Sequence, residues 1–348
     1  GRLWTPPDRL GAQPASYTHT TDFAGPVLGI MSALTLDEAI RIQNSTPFGL
    51  SAGLHSRDRA EIGEWIRRVE AGNLYVNRDL LLNQPQRMPF GGCKRSNIGT
   101  RYKSGGPNQV ISLGSWTPNH GEQSQTLHLR GLDPRARALI ETAQQHMPYE
   151  SFDIVRRSAL SDQIAWNEEF GEAADVTNLA FERNLMRYVP VPVSVRVQEG
   201  GKLEDLVRIM VAAQIARARK IDLSSGIDIP AAIGDLLLKW GVKIRLETNE
   251  EHLTRIKTDG ADALRIRLIG GGRAAVCAAL GADADASVWS NPVTAAGRLE
   301  LLPFLREQSI SLAAHRYGEP EDMVVELFAH EKLVDPNAPA SDHGNPLL

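Results

Sequence analysis

The sequence predicts an α/β protein made of two successive doubly wound units, and three observations carry that prediction. Short apolar runs alternate with amphipathic helical stretches over residues 1–117. The same β-α-β texture returns over 151–334, which argues for mostly parallel sheets covered by helices. Between them, residues 118–150 turn polar and Gln-rich, the texture of a linker or arm.

In chain order, Val27-Leu28-Gly29-Ile30-Met31 reads as a buried strand. Thr35 and Glu38 have the spacing of a capping box, so a helix opens there through Ala39, Ile40 and Ile42. A strand follows around Leu50–His55, then a helix over Ala60–Glu70 and a strand at Asn73–Asn77. The polar stretch holds one helix near Pro134–Gln145. Beyond it Val191–Val197 alternates as a strand and Leu203–Ala218 has helical spacing. Strands at Lys220–Leu223 and Lys243–Leu246 bracket a helix over Pro230–Trp240. Asn249 is placed to cap a further helix toward Lys257. The strand Leu264–Ile269 then runs into Gly270-Gly271-Gly272. The tail 335–348, rich in Pro, Asn and Asp, predicts irregular chain.

Composition narrows the functional classes. Lys plus Arg (38) nearly balances Asp plus Glu (42), and no long basic run offers phosphate backbones a hold, so nucleic acid is not an expected partner. No stretch approaches the roughly 20 consecutive apolar residues of a membrane-spanning helix. Two cysteines, Cys93 and Cys277, build neither a disulfide framework nor a zinc site, and that usage suits a reducing, cytoplasmic setting. The first residues carry no start methionine and no signal peptide, and read as the interior of a longer chain.

The strongest motifs lie in residues 22–116. They are Asp22-Phe23-Ala24-Gly25-Pro26-Val27-Leu28, Asn44-Ser45-Thr46-Pro47-Phe48-Gly49-Leu50, Glu70 through Arg78, and Pro89-Phe90-Gly91-Gly92-Cys93-Lys94. In that order and spacing they resemble the C-terminal part of the aldehyde dehydrogenase catalytic domain. Gln86-Arg87-Met88-Pro89-Phe90-Gly91-Gly92 followed by Gly105-Gly106-Pro107-Asn108 narrows the resemblance. It is to the 1-pyrroline-5-carboxylate (L-glutamate γ-semialdehyde) dehydrogenase module of the proline utilization A family. Glu182-Arg183-Asn184, Arg187-Tyr188 and Leu305 through Ser311 resemble the extra C-terminal domain of long members. The resemblance therefore implies a partial aldehyde dehydrogenase catalytic domain followed by a second, Rossmann-like α/β domain.

The resemblance also assigns expected roles. Phe90, beside a turn whose glycines permit unusual backbone angles, packs against the aldehyde's aliphatic part. Asn83 lies in the loop that holds the substrate's α-carboxylate, where Leu82 replaces a small anchor residue. Asp22 takes the place of the Glu that binds the nicotinamide ribose, with Ala24 in the place of a Phe. NAD is the implied cofactor of the whole enzyme, with FAD in a proline-oxidising domain that this sequence does not contain. Neither is expected on this chain alone. Cys93 and Cys277 fall outside the family's nucleophile motif and read as structural thiols, and the general-base Glu motif is absent. No catalytic residue and no metal site are assigned.

Three readings follow. The chain is a C-terminal piece of a proline-catabolic aldehyde dehydrogenase, inert alone and completed by an N-terminal part. Alternatively it is a non-catalytic lid or scaffold. In the third, Gly270-Gly271-Gly272-Arg273-Ala274-Ala275 matches G-x-G-x-x-A and binds a nucleotide, against which stands an ordinary glycine-rich turn. Sheet neighbours missing from the first unit imply an exposed apolar face and self-association.

Overall fold

The computed structural model describes residues 8–80, 87–99, 102–117, 128–175, 177–281, 285–316 and 319–320. Asn83, Leu82 and the tail 335–348 lie outside the described residues.

The chain opens with a parallel pair, β1 (Asp8–Leu10) and β2 (Leu28–Ile30). The sequence predicts β2 as buried, but both strands are exposed along their length, since nothing among the described residues covers them. Helix α1 (Leu36–Asn44) follows. Thr35 Oγ1 accepts from Glu38 N as expected, but Glu38 reaches back to Leu34 N and so forms only half of a capping box. After β3 (Ser51–Leu54) comes α2 (Arg59–Arg68), capped by Asp58 Oδ1, which accepts from Ala60 N at 2.7 Å. Ile62, Trp65 and Ile66 form its buried stripe. Strand β4 (Asn73–Val76) is buried throughout.

Residues 118–150 do more than connect. Helix α3 (Pro134–Ala143) buries Ala136, Leu139, Ile140 and Ala143 in the main core. It packs with α4 (Tyr149–Ala165) and α5 (Leu203–Ile215), whose Leu206–Ile215 stretch is buried on every side.

Two sheets organise the rest. The first runs β3-β4-β11-β5, with β5 (Glu182–Pro190) and β11 (Leu305–Ala313) contributed by the second half of the chain. Strand β11 pairs parallel with β4 (Leu312 opposite Val76) and antiparallel with β5 (Ala313 opposite Glu182). Leu185, Ile310 and Leu312 consequently share one core with Ile40, Ile62, Trp65 and Leu74.

The second sheet is wholly parallel: β6 (Val193–Val197), β7 (Ile221–Ser225), β8 (Lys243–Leu246), β9 (Arg265–Ile269) and β10 (Ser287–Trp289). Its spatial order is β8-β7-β6-β9-β10, the 3-2-1-4-5 order of doubly wound folds. Helices α6 (Ala231–Lys239), α7 (Asn249–Asp259) and α8 (Arg273–Ala279) complete the windings. Two local expectations are corrected. The cap of α7 is Thr248, in a full capping box with Glu251, while Asn249 Oδ1 accepts from Arg196 and from Glu199 N. The alternation in β6 does not separate core from solvent, because as a central parallel strand it buries Ser194 and Arg196 with its valines.

Candidate functional site

The site forms where the Pro89–Gly92 turn meets β4 and β11. Gly72, just before β4, passes so close to the turn that a Cβ there would stand 2.0 Å from Gly91 O, so only glycine fits. Phe90 exchanges two backbone hydrogen bonds with Ser104, at 3.0 and 2.8 Å. Ser309 Oγ donates to Pro89 O at 2.6 Å and Lys103 Nζ donates to Gly91 O at 2.7 Å. The turn is therefore held at three successive residues, while the Phe90 ring stays only half-buried at its edge. Cys93 pairs with Gly49 in a short antiparallel ladder, and Arg306 Nη1 donates to its Sγ at 3.3 Å.

Beneath the turn lies a buried polar chain. Lys103 is 1% exposed and also donates to Asn73 Oδ1 at 2.7 Å. Burial lowers its pKa to about 7, against the opposing pull of Glu307. An ammonium has three N–H groups and a neutral amine two, and two acceptors receive Lys103 Nζ among the described residues. Glu307 accepts from Lys103 N and from Asn108 Nδ2, at 2.5 and 2.7 Å, and burial raises its pKa despite those bonds. Asn108 also donates to the Tyr188 hydroxyl, which donates to Glu169, itself held bidentately by Arg298. Burial raises the Tyr188 pKa, so it stays a neutral hydroxyl.

On the outer side, Arg78 and Arg87 both reach Glu182, at 3.3 and 2.7 Å. The sequence argument did not single out Lys103, and it gave no role to Asn108, Glu182 and Glu307, which stand inside the quoted motifs. Arg78 and Arg87 stood inside quoted motifs without an assigned role.

The residues singled out from sequence fall in different places. Phe90 belongs to this site. Asp22 is exposed and its Oδ1 accepts from Ala24 N at 2.9 Å, closing a turn in which Ala24 adopts φ 47°. Asn83 is outside the described residues. Gly270, Gly271 and Gly272 all take left-handed backbone angles at the carboxyl end of β9. In doubly wound folds a dinucleotide lies in that crevice, beside the central strand. Here a Cβ on Gly270 would stand 3.0 Å from Gly201 N, and one on Gly272 2.8 Å from Gln198 Nε2. Gly270 and Gly272 thus pack closely on Gly201 and Gln198, while a Cβ on Gly271 would meet nothing within 4 Å. Glu169 and Asp285 are ion-paired with Arg298 and Arg95. No group of three or more His, Cys, Asp or Glu among the described residues is gathered for a metal.

Residues 9–112 match the aldehyde dehydrogenase family. Over 95 residues the chain is 38% identical to succinate-semialdehyde dehydrogenase (NADP(+)) 1 of Mycobacterium ulcerans, covering 27% of this chain and 20% of that protein. Over 81 residues it is 42% identical to 2,5-dioxopentanoate dehydrogenase of Saccharolobus solfataricus, covering 23% of this chain and 17% of that protein. The likeness to solved structures reaches beyond the matched residues. Proline utilization A (PutA) of Corynebacterium freiburgense is 35% identical with a TM-score of 0.69, covering 92% of this chain and 28% of that one. The chain thus spans about a fifth of these curated relatives and little more than a quarter of PutA. Among the described residues no helix is long and apolar enough to cross a membrane.

Proposed function

We propose that this chain supplies the aldehyde-facing wall of an NAD-dependent enzyme that oxidises L-glutamate γ-semialdehyde, and that it is inert by itself. The observation that carries the reading is the Pro89–Gly92 turn, immobilised by Ser309, Ser104 and Lys103 while Phe90 presents its ring at the surface. An aromatic on a fixed backbone makes a hydrophobic wall at little entropic cost. The nucleophile, the general base and the cofactor's phosphate-binding loop come from the N-terminal part of the same enzyme. Asp22 keeps its second carboxylate oxygen for a ribose hydroxyl. Residues 151–334 act as a scaffold.

The test is reconstitution with the polypeptide that completes the catalytic domain. NADH formation is expected from glutamate semialdehyde with both parts and from neither part alone. Phe90→Ala should raise KM for the aldehyde about ten-fold, the loss of one apolar contact of ~1–2 kcal/mol. Turnover by this chain alone, or an unchanged KM in the variant, would count against the proposal.

A further inference from the structure

The Pro89–Gly92 turn rests on the stretch 103–108, which carries the Gly105-Gly106-Pro107-Asn108 motif. The contact is tight. A Cβ on Gly91 would stand 3.3 Å from Lys103 Cα, and one on Gly106 3.3 Å from Pro89 Cβ and 3.0 Å from Lys103 O. Gly106 N donates to Lys103 O at 3.0 Å and Gly105 turns through φ 71°, so the stretch doubles back on itself. Ser104 makes both backbone hydrogen bonds to Phe90. Whatever fixes 103–108 therefore fixes the turn that presents the Phe90 ring.

Both ends of that stretch are held by one carboxylate from the second half of the chain. Glu307, on β11, accepts from Lys103 N at 2.5 Å and from Asn108 Nδ2 at 2.7 Å. Asn108 Nδ2 also donates at 2.9 Å to the hydroxyl of Tyr188, which stands opposite Glu307 on β5. Lys103, Asn108 and Glu307 are 1%, 0% and 6% exposed, so little water competes for these bonds. A hydrogen bond to a carboxylate is about twice as strong as one between neutral groups.

We propose that Glu307 is a positioning residue: it closes the 103–108 stretch, fixes the turn above it, and so sets the affinity for aldehydes whose aliphatic part meets Phe90. The contact between Phe90 and the aldehyde rests on the proposed function. The closing of 103–108 is a property of this chain. With that stretch closed beforehand, a substrate that packs on Phe90 does not bear the cost of ordering the turn. Through Glu307 the second half of the chain acts on recognition without touching substrate.

The positioning and its effect on recognition are tested separately. In the 348-residue chain, amide hydrogen exchange reads how often the hydrogen-bonded Phe90 and Ser104 amides open. The Gly260 amide, bonded to Ile256 O at the carboxyl end of α7, is the reference for local opening elsewhere. Glu307→Ala should speed exchange at Phe90 and Ser104 about ten-fold relative to Gly260. Glu307→Gln, which keeps one acceptor, should fall between. An unchanged ratio in a variant that still melts cooperatively overturns the positioning. If Glu307→Ala does not fold, Asn108→Ala frees one end of the stretch and is read by the same ratio. In the reconstituted enzyme, Glu307→Ala should raise KM for glutamate semialdehyde about five-fold, with kcat largely kept. Because Glu307 acts through Phe90, it should add little in a Phe90→Ala background. Losses that multiply in the double variant would overturn the role in recognition. Absence of any turnover in the wild-type reconstitution would count against the proposed function and leave the exchange ratio to decide the positioning.

Discussion

Lys103 shows how much one buried side chain can report. It stands 1% exposed beneath the Pro89–Gly92 turn, and burial brings its pKa from 10.5 down to about 7. In the unfolded chain the same amine keeps its ordinary value. Between about pH 7 and 10.5 the unfolded chain therefore binds the extra proton, and stability must rise with pH across that window. The slope from this group is about 1.4 kcal/mol per pH unit at most. Urea midpoints at pH 7 and pH 9.5 should separate for the wild-type chain and converge for Lys103→Met. Equal slopes in the two would mean that the lysine keeps its proton in the fold. Nothing local announces this residue, because a lysine between Tyr102 and Ser104 reads as a surface position. Its environment is made by Asn73, Gly91 and Glu307, which lie from 12 to 204 residues away along the chain. Phe90 could be read because its neighbours in the turn are also its neighbours in sequence.

At the scale of elements, β11 joins the two halves, and its side chains explain how. Arg306 donates to Cys93, Glu307 receives Lys103 N, Ser309 donates to Pro89 O, and Ser311 receives Arg78. Gln308 is fully buried between them. Its amide nitrogen donates to Val69 O and Ala71 O at 3.2 and 2.8 Å, and its oxygen receives the Arg187 guanidinium at 2.8 and 2.6 Å. Gln308→Leu keeps the volume but removes the amide that two carbonyls and the buried Arg187 share, leaving Arg187 with Ile66 O among its partners. It should destabilise the chain by about 3 kcal/mol or more, read from denaturant midpoints. A loss below ~1 kcal/mol would mean that water or a rotated Arg187 fills the gap. Most helices and parallel strands were legible because capping residues and apolar spacing act over a few residues, but α4 (Tyr149–Ala165) and β10 (Ser287–Trp289) were not predicted. The pairing of β11 with β4 and β5 was not, since a register between strands more than a hundred residues apart leaves no local trace. Arg196 misled for a related reason: within Val-Ser-Val-Arg-Val it has the pattern of a half-exposed strand, and only its central place in the sheet buries it.

Across the described residues, the two halves are interlocked through β11 and exposed at the β1–β2 pair. The first sheet is completed by β5 and β11, so the first third of the chain depends on the second half for its core. The β1–β2 pair has no such support. Leu10, Leu28 and Ile30 are 80%, 55% and 40% exposed on a two-stranded parallel ribbon, an arrangement otherwise found with both faces covered. Burying those three side chains is worth roughly 4–8 kcal/mol, at the lower end of the ~4–15 kcal/mol that association costs. Apolar contact alone therefore barely suffices, and edge hydrogen bonds must add to it. The expected result is reversible self-association that rises with concentration, seen as a growing weight-average mass in light scattering. Leu28→Lys with Ile30→Glu should abolish it without moving the melting transition, since neither side chain belongs to a core. A monodisperse wild-type monomer would show that these strands need no cover. If the polypeptide that completes the catalytic domain packs here, adding it should dissolve the self-association at the same stoichiometry at which NADH formation appears. Were the mass to fall without activity, the ribbon would be a docking edge only; were activity to appear with the self-association intact, the completing part would have to dock elsewhere.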